Sequence, residues 1–253
     1  MTKISAFLWA YRNWQAGAHS IKSLKRFYPD ADIIIQVDKD GDIENYHHVA
    51  NELDCLIQHN SVQIGYCGNF GSVNVGREQW PRELAFAWMD NLHRACSSTN
   101  SEYMMVLEED DFVLSPISIL NDKFSMAIHP TDPSPIGRHR PNRIPPEFIE
   151  YSREHGGVTS CPGYGAGGGV IFNRLQYMLA WDSARGHLYE NYDRLSSIDK
   201  IIGWEDFLLQ YIMMLGGYPI VQNHRLCEHW EVPHLWTEFE IVTGLKDYTQ
   251  VKL

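Results

Sequence analysis

The chain is short of positive charge. Its 253 residues carry 21 lysines and arginines against 32 aspartates and glutamates, a formal net charge of −11. No basic field is present to attract a phosphate backbone or an anionic bilayer, which argues against nucleic acid and membrane surfaces as partners. A small anionic ligand stays open, because a bound metal bridges acid to phosphate. Cysteines are few: five, at 55, 67, 96, 161 and 227, odd in number and without paired metal-ligand spacing. They read as reduced, mostly buried thiols of a cytosolic protein. Long apolar runs are missing too. The amino-terminal run, Ile4 to Trp9, is too short for a signal peptide or a membrane span. There is no internal repeat and no low-complexity segment. There is no His-Glu-x-x-His zinc motif, so a histidine-only zinc site is not expected.

What is present is a soluble globular composition, 44% hydrophobic and 21% charged, with more histidines (twelve) and tryptophans (eight) than expected. The length suits one large domain or two small ones. Lys3 to Trp9 reads as a first strand, Ala18 to Phe27 as a helix, and Asp32 to Asp38 as a second strand. A helix from Ile43 to Leu53, with Asp42 as its N-cap, and a short strand from Asp54 to His59 follow. This β-α-β-α-β order implies an α/β protein with a parallel sheet and right-handed crossovers. The glycines at 65, 68, 71 and 76 mark a loop. Arg77 to Ser97 has the strongest helical period, with Trp80, Leu84, Trp88, Leu92 and Cys96 recurring every fourth residue. Six prolines between His129 and Pro146 mark an irregular excursion over the surface. A glycine-rich run, Gly163 to Gly169, enters a short strand ending at Phe172. Asn173 caps a helix expected to end near Ala184, and Phe207 to Leu215 forms another helix, stopped by Gly216-Gly217. Pro219 to Val221 is the last strand.

The organising stretch is Tyr103-Met104-Met105-Val106-Leu107-Glu108-Glu109-Asp110-Asp111. Five apolar residues run into four carboxylates, as in a strand buried on both faces whose carboxyl end carries charge. Ligands of open α/β sheets bind at such ends, so the cluster reads as a meeting place of divalent cation and substrate. A solvated acidic turn is the plainer alternative. Glu109 and Asp111, two apart, point the same way if the backbone stays extended, and two adjacent carboxylates suit magnesium or manganese. Asp111 is taken as the principal ligand, with Glu109 nearer a ribose or a metal-bound water and Asp110 pointing away or contacting sugar hydroxyls. Asp38 closes another strand of the same sheet and is placed to accept hydrogen bonds from a base or ribose; beside Gly41 it also suits a plain turn. The glycine run lacks the lysine and serine or threonine of a P-loop and fails the dinucleotide fingerprint. Its small residues would admit close backbone approach to a ligand, or serve only as a connector. Glu205-Asp206 begins a helix, where the dipole favours acids. Beside Trp204 the pair also suits a general base next to an aromatic sugar platform. His224, His229 and His234 crowd the carboxyl terminus, and one of them is a candidate to complete a metal sphere.

In this order the pieces resemble the GT-A class of nucleotide-sugar-dependent glycosyltransferases. The resemblance rests on Ile4 to Trp9 with Tyr11-Arg12-Asn13, Val37-Asp38, and Asn69 through Arg77. It continues through Val106-Leu107-Glu108-Glu109-Asp110-Asp111 as a variant of the family's DxD motif, Gly167-Gly168-Gly169-Val170-Ile171-Phe172-Asn173-Arg174, and Gly203-Trp204-Glu205-Asp206. It implies one GT-A domain over residues 1–253, with a mixed, mainly parallel sheet flanked by helices. Residues 1–114 would form the nucleotide-binding half and 115–253 the acceptor-binding half. It implies a metal-dependent transferase that moves a sugar, from a UDP-sugar by default, to a glycan or other hydroxyl acceptor. The Gly-Trp-Glu-Asp segment resembles that of inverting members, which makes Asp206 the catalytic base with Glu205 beside it. Donor contacts would come from Tyr11, Asn13, Asp38, Arg77, Glu109, Asp110, Gly168, Gly169 and Trp204. Manganese or magnesium would sit on Asp111, His229 and Glu109. Glu109 stands where the family's motif has aspartate. Localisation is expected in the cytoplasm of a microbe or of a virus's host, with no membrane span. Two rival readings are a nucleotidyltransferase that makes nucleotide sugars and a non-catalytic nucleotide- or carbohydrate-binding protein on the same fold. The loop after strand one lacks the glycine, lysine and arginine character of the former.

Overall fold

Every residue of Ile4–Ala10 is buried, and this stretch forms β1, an inner strand of a seven-stranded sheet. The structure is a computed structural model that describes residues 4–10, 13–39, 41–60, 82–109, 111, 113, 116–128, 144–161, 169–198 and 205–222. The remaining strands are β2 (Asp32–Val37), β3 (Leu56–His59), β4 (Tyr103–Glu108), β5 (Met126–Ile128), β6 (Ile171–Asn173) and β7 (Ile220–Gln222). The helices are α1 (Trp14–Phe27), α2 (Ile43–Leu53), α3 (Arg82–Ser97), α4 (Pro146–Glu154), α5 (Arg174–Ile198) and α6 (Glu205–Leu215). Strand order is β3-β2-β1-β4-β6-β5-β7. β1, β2, β3 and β4 pair in parallel, β6 runs antiparallel to β4 and β5, and β7 is parallel to β5. The sheet is therefore mixed and mainly parallel, as expected from the sequence.

Alternation of side chains divides the core. Ala6, Leu8 and Ala10 of β1 join Ile33, Ile35 and Val37 of β2 against α1 and α2. Phe7 and Trp9, pointing the other way, join Ile34, Met104 and Val106 against α3, α5 and α6. Trp88 of α3 meets both Phe7 and Trp9 edge-on, at ring centroid distances of 5.5 and 5.9 Å. At the amino end of β1, Ser5 Oγ lies 2.5 Å from Ser101 Oγ and 3.3 Å from Thr99 Oγ1.

Several boundaries differ from expectation, each for a local reason. α1 begins at Trp14 rather than Ala18, because Asn13 Oδ1 accepts the Ala16 N–H at 3.3 Å and starts the helix early. α2 has its expected Asp42 cap, 3.4 Å from the Asn45 N–H. α5 runs to Ile198, well past Ala184: Leu188, Tyr192 and Leu195 continue its buried stripe. Asn173 caps it as expected, accepting from Gln176 N–H at 3.1 Å. α4 stands where the sequence reading placed no helix, and starts at Pro146 just after Pro145, where the ring is tolerated. Residues 61–81 and 129–143, the glycine-marked loop and most of the proline-rich excursion, lie outside the described residues. Of the described cysteines, 55 and 161 are half-buried and Cys96 alone is buried. Burial pushes the Cys55 thiol up to about 11, with Asp54 adding and Lys25 opposing. Among the described residues no helix is long and apolar enough to cross a membrane.

Candidate functional site

The strand order places a switch point between β1 and β4. From β1 the chain goes by way of α1 to β2 on one side, while β4 lies on the other. Ligand crevices of open α/β sheets form outside the carboxyl ends at such points. The register puts Trp9 opposite both Gln36 and Glu108, and Ala10 opposite Val37, so the ends of β1, β2 and β4 are level. Asp38, Glu109 and Asp111 follow at that edge.

Asp38 is fully buried. Its N–H donates to Ala10 O at 3.2 Å, its carbonyl accepts from Gly41 N–H at 2.9 Å, and its Oδ1 accepts from Asn60 Nδ2 at 3.3 Å. The aspartate is thus both the turn former and a side chain locked in the edge of the sheet.

A turn follows β4. β4 ends at Glu108, and the chain turns at Glu109. Asp111 N–H donates to Glu108 O at 3.2 Å, and Glu108 N–H donates back to Asp111 Oδ2 at 2.7 Å. The strand therefore stops before Glu109, and its alternation does not carry on to align the two carboxylates. The reason is local: an aspartate three residues on competes with the strand for the Glu108 amide. Asp111 is buried by this closure, with 4% of its surface exposed.

Glu109 turns instead toward α1 and α2. Its Oε1 accepts the backbone N–H of Asn13 at 3.0 Å and also the hydroxyl of Tyr46. The carboxylate sits at the amino end of α1, where the helix dipole favours an anion. Donors to an ionised acceptor make strong hydrogen bonds. With two donors on Oε1, any metal contact of Glu109 falls to its other oxygen. Tyr46 is fully buried, and its ring crosses α1 at Gly17, where an added Cβ would stand 2.8 Å from the Tyr46 hydroxyl and 3.1 Å from its Cε1. Neither Tyr46 nor Gly17 stood out in the sequence. No signal marked them, since Gly17 falls just before the helix expected from Ala18.

Gly169 adopts φ 85° and donates its N–H to Val106 O at 2.8 Å, while Val106 N–H donates to Val170 O at 2.9 Å. The end of the glycine run therefore pairs with β4, just before the acidic turn. The positive φ explains a glycine there.

The structure thus brings Asn13 and Glu109 into contact and sets Asp38 and Asp111 on the same edge of the sheet. Tyr11, Arg77, Asp110, Gly168, Trp204 and His229 lie outside the described residues. Glu205 and Asp206 begin α6, but only their backbone is described. Among the described residues no group of three or more histidine, cysteine, aspartate or glutamate side chains is placed to hold a metal ion. The donors at the edge are carboxylate oxygens, the chemistry that magnesium and manganese prefer.

No protein-family model matches the chain, and no curated protein matches its sequence. Solved structures do resemble it. One is the galactosyltransferase LgtC in complex with donor and acceptor sugar analogues, at 14% identity and a TM-score of 0.46, with 86% of this chain and 72% of that one covered. Another is the glucosyl-3-phosphoglycerate synthase of Mycobacterium tuberculosis with Mn2+, uridine diphosphate glucose and phosphoglyceric acid, at 13% identity and a TM-score of 0.42, with 87% and 69% covered. The likeness is one of chain path. It assigns no residue and no reaction.

Proposed function

We propose that this chain is a glycosyltransferase that moves a sugar from a nucleoside diphosphate sugar, UDP favoured, to an acceptor hydroxyl with inversion. The observation that carries the reading is the convergence of Asp38, Glu109 and Asp111 at the carboxyl edge of the sheet, beside the switch point and the amino end of α1. The first half of the chain supplies β1 to β4 and is proposed to bind the nucleotide. The second half adds β5, β6 and β7 to the same sheet and is proposed to bind the acceptor.

Asp38 would hold the nucleoside, and the Asn13 turn, with Tyr11 before it, would face the donor. Arg77, Asp110, Gly168, Gly169 and Trp204 are the further proposed donor contacts. Asp111 and His229 would hold manganese or magnesium. Glu109, its Oε1 committed to Asn13 and Tyr46, serves chiefly to order the loop and reaches a metal only through its second oxygen. When bound, the ion supplies positive charge to the diphosphate leaving group. Asp206, with Glu205 beside it, would take the proton of the acceptor hydroxyl as that oxygen attacks the anomeric carbon, and a single displacement inverts the centre.

A thermal-shift panel tests this: UDP, GDP, CDP and TDP, each with and without Mn2+. A ligand that binds only the native state raises the melting temperature by mass action, by an amount equivalent to about 2.7 kcal/mol at a hundredfold excess over Kd. One nucleotide is expected to shift the wild type only with Mn2+, and Asp111→Asn should lose that shift. Asp206→Asn should keep the shift and lose transfer by a factor of about 100 or more. No shift with any nucleotide refutes the reading and leaves an acidic turn.

A further inference from the structure

Tyr46 belongs to α2, an element with no assigned role in the site, yet its hydroxyl ends on the acidic turn. The ring is fully buried, so its hydroxyl needs a protein partner, and Glu109 Oε1 accepts from it. The same oxygen accepts the Asn13 N–H at 3.0 Å. One carboxylate oxygen therefore joins three elements: α2 through Tyr46, the start of α1 through Asn13, and the turn after β4. Asn13 in turn caps α1. A glutamate makes this junction with one more methylene of reach than the aspartate of the DxD pattern. The path of the hydroxyl is open only because residue 17 has no Cβ.

We propose that Tyr46 is a positioning residue for nucleoside diphosphate binding. It fixes Glu109, which fixes the Asn13 turn and the positive end of α1 beside Asp111. The proposal rests on the donor-site reading above. It gives Glu109 a role other than metal ligation and extends the site to α2.

The test uses Tyr46→Phe, Gly17→Ala and the two combined. The first deletes the hydroxyl, and the second pushes against it while leaving it in place. Amide exchange over residues 10–17 reports the turn without any ligand, and calorimetry with UDP and Mn2+ reports affinity. Each single variant should speed exchange in that segment and raise the Kd about tenfold, the scale of one hydrogen bond to a charged group. Both measurements are made well below each variant's melting midpoint, where a merely structural role for Tyr46 would leave the Kd unmoved. The combined variant should lose less than the sum of the two single losses, because the methyl's shortest contact, the hydroxyl at 2.8 Å, is gone while Cε1 at 3.1 Å and Leu8 Cδ2 at 3.4 Å remain. Unchanged exchange in Tyr46→Phe, unchanged affinity, or additive losses in the combined variant overturn the proposal. A wild type that binds no nucleoside diphosphate overturns the donor-site reading and the ligand half of this proposal with it. Unchanged exchange in Tyr46→Phe, with a wild type that does bind, overturns the positioning half alone.

Discussion

At the scale of single residues, two helical glycines should respond in opposite ways to the same substitution. Alanine is favoured over glycine inside a helix by about 1 kcal/mol. At Gly186, exposed on α5, an added Cβ meets nothing within 4 Å, so Gly186→Ala should stabilise by up to about that amount. At Gly17 the same methyl meets the Tyr46 hydroxyl at 2.8 Å, Cε1 at 3.1 Å and Leu8 Cδ2 at 3.4 Å. The buried ring has little room to withdraw, and overpacking of this kind costs about 1–3 kcal/mol. Gly17→Ala should therefore come out neutral to about 2 kcal/mol destabilised after the propensity gain. Urea midpoints of the two variants check this. A clear gain at Gly17 would mean that Tyr46 yields easily. The residues legible from sequence were those whose chemistry is tied to a strand end: Asp38, Glu109 and Asp111 stand at the predicted edge. The Glu109 contacts were not legible. Strand alternation says nothing once the chain turns, and no sequence pattern links Tyr46 on α2 to a carboxylate 63 positions on.

At the scale of elements, periodic apolar spacing placed the cores of most helices and strands, while caps and tertiary packing set their ends. Asp42 and Asn173 were readable caps because their side chains act locally. The length of α5 was not readable. Asp182, Ser183 and Gly186 look like an exit, but Tyr192 and Leu195 bury against α3 and α6 and carry the helix on. The first residue of α5 also ties it to its neighbours. Arg174 donates from Nε to Ser101 O and from Nη1 to Cys96 O, both at 2.8 Å, so it satisfies a carbonyl at the carboxyl end of α3 and another just before β4. A cation there also complements the negative end of the helix dipole. Removing Arg174 leaves those carbonyls short of partners. Arg174→Met keeps much of the apolar stem, so the loss measured is mostly that of the bonds. It should destabilise by about 1.5–3 kcal/mol in chemical denaturation. Arg174→Lys should recover part of this, since one ammonium cannot follow both directions of the guanidinium fork. A loss no larger than that of an exposed arginine would refute the clamp.

At the scale of the whole molecule, stability should fall on mild acidification through the seam between α4 and α5. His187 of α5 and His155, just after α4, pack at a tilt with ring centroids 4.4 Å apart, and the Tyr151 ring lies 4.3 Å from His155 and stacks on His187 at 5.5 Å. The Tyr151 hydroxyl is bonded to His187 Nε2, and the Arg194 guanidinium lies 5.6 Å from the Tyr151 ring centre. A proton on His187 thus enters a partly buried stack beside another imidazole and a fixed cation. Burial lowers the His187 pKa below its ordinary 6.5, with His155 and Arg194 acting in the same sense and Glu190 against them. The sign follows from linkage. Above 6.5 the ring is neutral in both folded and unfolded chains, and the seam contributes in full. As the pH falls through that value the unfolded chain takes up the proton first, so stability declines until the folded ring protonates too. Melting curves from about pH 8 to about pH 5 should show the wild type losing more than His187→Gln, which keeps a polar partner for Tyr151 but cannot titrate. Because other histidines and carboxylates titrate in both proteins, the difference between the two curves, not either curve alone, is the measure. Parallel curves would mean that the stack accommodates the proton and that the seam does not sense pH.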